Sequence, residues 1–207
     1  MTAFPALRSL LLASFLTIVG VTSASAQLSY HVVDKDSTSV DSGNNLGVAI
    51  DATFNFSVTA GVGTLQLTLK NLAGTAKLPA DGVGNYTSGI LTGFGFDGPV
   101  GANYIAGSFA QTLAFGSGSE PGGINFKLET PYTETNPVGN FDFGAASAAP
   151  APHNGLEGGY TAIFTLKFDG NLSWFNPAGF FSHNGSDADF GFRYQSIPVG
   201  EGSDKFV

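Results

Sequence analysis

From Ala52 to Lys70 apolar and polar residues alternate almost one for one. In "ATFNFSV" the residues Ala52, Phe54, Phe56 and Val58 fall on one side of an extended chain and Thr53, Asn55 and Ser57 on the other. In "TLQLTLK" Leu65, Leu67 and Leu69 repeat the pattern. A period of two is the mark of a strand with one buried face, and the "TAGVG" between the runs carries turn chemistry, so the segment predicts a β-hairpin. Similar runs recur downstream: "SYHVV", "GILTGFGF", "FAQTLAF", "GINFKLE", "YTAIFTLKF" and "DFGFRYQSI". Gly-, Pro-, Ser- and Asn-rich stretches separate them, "KLPADGVGNYTSG", "GSGSEPGG" and "AASAAPAPHNGLEGG" among them, and these predict loops, including a long surface loop from Ala145 to Pro152.

Short strands at turn-bounded intervals, with no long helical period and no fixed repeat, predict an all-β fold: a single-domain antiparallel β-sandwich, jelly-roll-like. One segment departs from alternation. "NLSWFNPAGFFSHNG" bunches its aromatics around Pro177 and predicts a short helical turn, broken near that proline, with Asn171 or Ser173 as N-cap. At the other extreme, "FRYQSIPVGEGSDKFV" predicts a strand with Phe190, Phe192 and Tyr194 inward, ended by Pro198, after which the chain leads outward.

The N-terminus changes the compartment. Arg8, the apolar run Leu10 to Val21 and the small-residue site Ala24-Ser25-Ala26 have the three parts of a secretory signal peptide, which predicts removal of residues 1–26 and a mature domain of residues 27–207. No second apolar stretch long enough to span a bilayer follows. A chain of this size buries roughly 70% of its unfolded surface and supports one core. It contains no cysteine, so neither a disulfide framework nor a thiolate metal site contributes.

Charge narrows the partners. The chain has 8 Lys and Arg against 16 Asp and Glu, and losing Arg8 with the signal peptide takes the net charge from −8 to −9. A negative field repels phosphate backbones, which argues against nucleic acid.

Candidate chemistry is sparse. A Ser-His-Asp hydrolase of the nucleophile-elbow type needs G-x-S-x-G before a helix, and the nearest stretch, "FGSGS" at Phe115 to Ser119, reads as a turn. Glu120, Glu129, Glu134 and Glu157 lie in or beside predicted loops with nothing to pair them as a glycosidase requires. Of the three histidines, His31 falls in a strand run and His153 and His183 in loops, without zinc-site spacing; a solvated or capping role is favoured over a metal ligand. Calcium is the cofactor that oxygen-rich loops suit best, with Asp34, Asp36 and Asp41 in one candidate loop and Asp187 and Asp189 in another, although Asx turns account for the same residues more simply. For a sugar ligand the tools are an exposed planar aromatic and neighbouring amides, and Trp174 with Asn171 and Asn176 supplies them.

The succession "ATFNFSVTAGVGTLQLTLKNLAGTA", "SGILTGFGFD", "FDFGAA", "GLEGGYTAIFTLKF" and "ADFGFRYQSIPVGEGSDKFV" resembles the secreted β-rich proteins of Gram-negative bacteria that carry a PEP-CTERM sorting signal. That resemblance implies a sandwich body, followed by a Pro-Glu-Pro motif, a transmembrane stretch and a basic tail recognised by an exosortase, and an association with extracellular polysaccharide and biofilm matrix. The motif itself does not occur in these 207 residues. Three functions follow as expectations: a non-catalytic protein of the cell surface or extracellular matrix, a carbohydrate-binding module with or without calcium, and, last, a secreted hydrolase.

Overall fold

The computed structural model describes residues 24–33, 47–99, 101–114, 123–132, 141–148, 154–180, 190–196 and 203–206. The predicted hairpin forms from β2 (Ala49–Thr59) and β3 (Val62–Asn71). Thr59 pairs with Val62, which leaves a two-residue turn of Ala60 and Gly61. Both have positive φ, 50° and 77°, as a type I′ hairpin turn demands. On one side of this hairpin β2 pairs with β1 (Ala24–Val33), and on the other β3 pairs with β9 (Thr161–Gly170), all antiparallel. The far edge of β9 is shared by β5 (Ala102–Tyr104) and β6 (Ala110–Ala114), which completes a six-stranded sheet A. Sheet B runs β11 (Ser203–Phe206), β10 (Phe190–Gln195), β4 (Ile90–Phe96), β8 (Phe143–Ser147) and β7 (Phe126–Glu129).

The two sheets close on one aromatic core, and the predicted all-β sandwich is the architecture found. The inward positions of β2, β3 and β9, among them Phe54, Phe56, Leu65, Leu67, Phe164 and Phe168, are almost fully buried. Rings from sheet B meet them across the interface: Phe94 stands 4.6 Å from Phe164, Phe126 5.2 Å from Phe164, and Phe143 5.4 Å from Phe168. Burying one such side chain contributes about 1.5–3 kcal/mol, so this cluster holds a cysteine-free sandwich together. At the open edge, Gln111 of β6 reaches across to β7, donating to Phe126 O at 3.1 Å and accepting from Phe126 N at 2.8 Å. Its amide thus substitutes for a neighbouring strand.

The alternation "GFGF" in β4 has a second purpose beyond its inward phenylalanines. Gly93 and Gly95 face away from the core, beside Gly144 of β8, and Tyr132 lies flat over all three. A Cβ would meet the Tyr132 side chain at 2.0, 2.5 and 2.2 Å respectively. Tyr132 and its bridge partner Phe141 are buried as a result, so the glycines let an aromatic lid seal the back of sheet B.

Four expectations are corrected. Ala145–Ser147 belongs to β8, paired with both β4 and β7, and Ala145 is fully buried, so the loop does not begin at Ala145. Alanine's small side chain fits between packed sheets, which composition alone reads as loop. The chain after Pro198 does not simply lead outward: Ser203–Phe206 folds back and pairs with Gln195–Phe192. The short helix α1 is Pro177–Phe180, so Pro177 begins it instead of breaking it, at the position where a missing N–H costs nothing. Its cap is Asn176, whose Oδ1 accepts from Gly179 N at 3.1 Å, whereas Asn171 Oδ1 accepts from Ser173 N in a separate turn.

Candidate functional site

Residues 171–176 connect β9 to α1 at one end of the sandwich, and there the three predicted sugar-site residues come together. Trp174 and Phe175 are neighbours with opposite fates. Phe175 packs on Phe56 and Phe168 and is 4% exposed, while Trp174 is 56% exposed. The intervening polar groups are mostly engaged within the loop: Asn171 Oδ1 accepts from Ser173 N and, at 2.7 Å, from Ser173 Oγ, and Asn176 Nδ2 donates to Ser173 O at 3.4 Å. The corner therefore presents a planar indole on a self-bonded platform. The calcium candidates Asp34, Asp36, Asp41, Asp187 and Asp189 lie outside the described residues, as do His153, His183 and "FGSGS". Among the described residues no group of three or more His, Asp or Glu is arranged to hold a metal ion.

The remaining histidine is built into a clamp. On the outer face of sheet A, His31 of β1 sits opposite Asp51 of β2, and its Nδ1 is 2.6 Å from Asp51 Oδ1. The 3-10 turn Pro79–Asp81 brings Asp81 to the other side of the ring, with Oδ2 2.8 Å from Nε2. Tyr86 donates its hydroxyl to the same Asp81 oxygen and accepts from Leu78 N at 3.2 Å. Partial burial pulls the imidazole's pKa down, but hydrogen bonds and attraction from Asp51 and Asp81 outweigh it and leave it above the ordinary 6.5. Burial and the Asp81 hydrogen bond push the Tyr86 hydroxyl up. With a carboxylate on each nitrogen, the ring has no free lone pair to serve as a general base. It fastens the loop from Leu78 to Tyr86 onto the sheet.

Beyond the clamp, the same face changes character. Three cross-strand rows run over β1, β2, β3 and β9: Ser29, Thr53, Thr68 and Ile163; Gln27, Asn55, Gln66 and Thr165; Ser25, Ser57, Thr64 and Lys167. Each of these residues is half-buried or exposed, while the alternate positions face the core. Lys167 is the one charged residue in the three rows. Hydroxyls within the grid bond one another, Ser29 Oγ lying 3.0 Å from Thr53 Oγ1. Neighbouring strands stand about 4.8 Å apart and successive outward residues about 6.8 Å, so the grid spans a broad hydrogen-bonding surface. The alternation was legible in the sequence; that these three outward rows would align into one face with a single charge depends on register.

No protein-family model matches the chain, and no curated protein is similar to it. Among solved structures, the KRT10-binding region domain of the pneumococcal serine-rich repeat protein PsrP is similar at 13% identity and a TM-score of 0.35, over 90% of this chain and 100% of that one. A likeness of that degree leaves function to this chain's own surfaces.

Proposed function

We propose that this is a secreted, non-catalytic protein of the bacterial surface or extracellular matrix, acting through contacts made by its sheet face. The observation that carries the reading is the open grid of Ser, Thr, Asn and Gln on sheet A. A solvated sheet face in a chain that must only stay soluble usually carries Lys, Glu and Arg. Here uncharged donors and acceptors fill ten of the twelve positions, the others being Ile163 and Lys167, which suits a neutral hydrogen-bonding partner such as matrix polysaccharide. The resemblance to PEP-CTERM proteins points to the same compartment.

Fractionating a producing strain tests this. The protein is expected with the extracellular matrix, and a Gln66→Lys, Thr68→Glu variant, altered only at outward positions, is expected in the soluble medium. Recovery of both forms in the same fraction, or turnover of glycosides or esters abolished by a single Ser or Glu substitution, overturns the reading.

A second reading rests on Trp174. A large planar ring left more than half exposed is the usual platform for a sugar face, so a carbohydrate-binding site at the β9–α1 corner is the alternative. Trp174→Ala is then expected to abolish retention on a polysaccharide column without shifting the melting temperature. Unchanged retention removes this reading.

A further inference from the structure

The expected cut after Ala26 falls within β1, and the sheet fixes where it leaves the new chain end. Gln27 becomes the first residue, and it does not begin a tail. It pairs with Asn55, and Leu28, Ser29 and Tyr30 after it pair with Phe54, Thr53 and Ala52. Tyr30 is anchored against Phe54 and Phe190, with ring centroids 6.2 and 4.8 Å away. The new end is therefore tied to the core a few residues along, with its side chain in the outward row of Asn55, Gln66 and Thr165.

The Gln27 side chain is exposed. Its Nε2 donates to Ser29 Oγ at 3.3 Å, an exposed bond that directs the amide along the strand and that water replaces at little cost. Released from that contact, the side-chain carbonyl reaches the residue's own main-chain nitrogen through a five-membered ring. While Ala26 is attached, that nitrogen belongs to a peptide bond and is inert. Cleavage turns it into an α-amine, and any α-amine, with an ordinary pKa of about 7.7–8.0, is about one-tenth neutral and nucleophilic at pH 7. Nucleophile and carbonyl then belong to one residue, the arrangement in which effective concentrations are highest.

We propose that Gln27 is a modification site, closing on itself after export to form pyroglutamate. The α-nitrogen attacks Cδ, the N–Cδ bond forms, the Cδ–Nε2 bond breaks, and Nε2 leaves as ammonia with the proton that the amine gives up. No electrons are exchanged and no co-reactant is consumed. The lactam keeps one N–H donor and one carbonyl acceptor, and it loses the positive charge that the cut created. That charge would otherwise stand beside Asn55, Gln66 and Thr165, none of which ionises. Closure thus keeps the row uncharged at its first strand and denies aminopeptidases a free amine. The inference rests on the secreted reading above and adds to it a covalent change at the mature N-terminus.

The test is reductive dimethylation of the cell-free culture, matrix included, before any digestion, because a dimethylated amine can no longer close during work-up. The N-terminal peptide of the exported protein is expected to start at Gln27, to carry no methyl groups on its α-nitrogen and to be lighter than the encoded sequence by one ammonia. Gln27→Asn is the control, since its amide is one methylene shorter and closure would need a four-membered ring. That variant is expected to be cut at the same place, to be methylated at residue 27, and to focus one charge unit less acidic than the native chain. A Gln27 end that keeps its amide nitrogen, methylated or not, overturns the proposal and leaves the secreted reading standing. A first residue other than Gln27 overturns it together with the expected cut. Absence of the protein from the cell-free culture overturns the secreted reading, and the proposal with it.

Discussion

Carboxylates at 2.6 and 2.8 Å from the two nitrogens of His31 can both accept only if both nitrogens carry protons. The folded state therefore favours the charged imidazole, and its pKa is raised above 6.5. Because it is raised, its stabilisation is complete below about pH 6.5 and is lost as pH climbs through the folded value. Melting curves of the protein and of Asp81→Asn, compared at about pH 5.5 and pH 9, should differ most at the lower pH, by an amount equivalent to about 1 kcal/mol, and converge at the higher. A gap independent of pH would mean that Asp81 acts on Tyr86 alone. Asn71 is a heavier residue. Replacing it with Ala leaves Gly89 O, Leu156 O and Ala73 N without their buried partner, and the expected loss is about 3 kcal/mol or more in chemical denaturation. Sequence singled out His31 only as a solvated or capping histidine, since its partners lie 20 and 50 positions away, and it did not mark Asn71, which sits among strand residues of ordinary type. Trp174 was legible because a lone tryptophan among amides is conspicuous, yet only packing separates its exposed ring from the buried Phe175.

Among the elements, the hairpin of β2 and β3 was readable nearly residue by residue because one buried face, a two-residue period and a two-residue turn all agree. Its weak point is Ala60, which takes φ of 50° at an exposed position. Ala60→Gly should stabilise the protein by about 0.5–1 kcal/mol, a rise of about 1–4 °C in melting temperature by calorimetry. A fall would show that the turn is not of the primed type. The glycines under Tyr132 run the other way. At Gly144 a methyl group would stand 2.5 Å from Phe94 O as well as against the tyrosine ring, and backbone cannot yield as a side-chain tip can. Gly144→Ala should cost about 3 kcal/mol and expose Tyr132 to solvent, read as a fluorescence change. Strands β5, β8 and β11 escaped sequence reading for one reason: runs of three to five residues carry too little alternation to outweigh the loop signals around them.

For the whole molecule, the expected export has to be reconciled with folding at β1. The expected signal-peptidase site after Ala26 falls inside that strand, whose Ala24, Ser25 and Ala26 pair with Val58, Ser57 and Phe56. Cleavage there leaves Gln27–Val33 to pair with Asn55–Ala49, seven of the ten positions, and those seven include Tyr30, which contacts Phe54 and Phe190 in the core. The removed positions bring no large apolar side chain, so the sandwich should survive cleavage almost unchanged, while the end of β2 next to the turn becomes an edge. Mass spectrometry of the exported protein should give Gln27 as its first residue. Hydrogen exchange should then find faster exchange confined to residues 56–58 when the mature form is compared with a form retaining Ala24–Ala26, with melting temperatures within about 2–4 °C of each other. An exported chain starting at or before Ala24 would instead make the full-length strand the edge of sheet A, and would add Ser25 to the row of Ser57, Thr64 and Lys167 on its outer face.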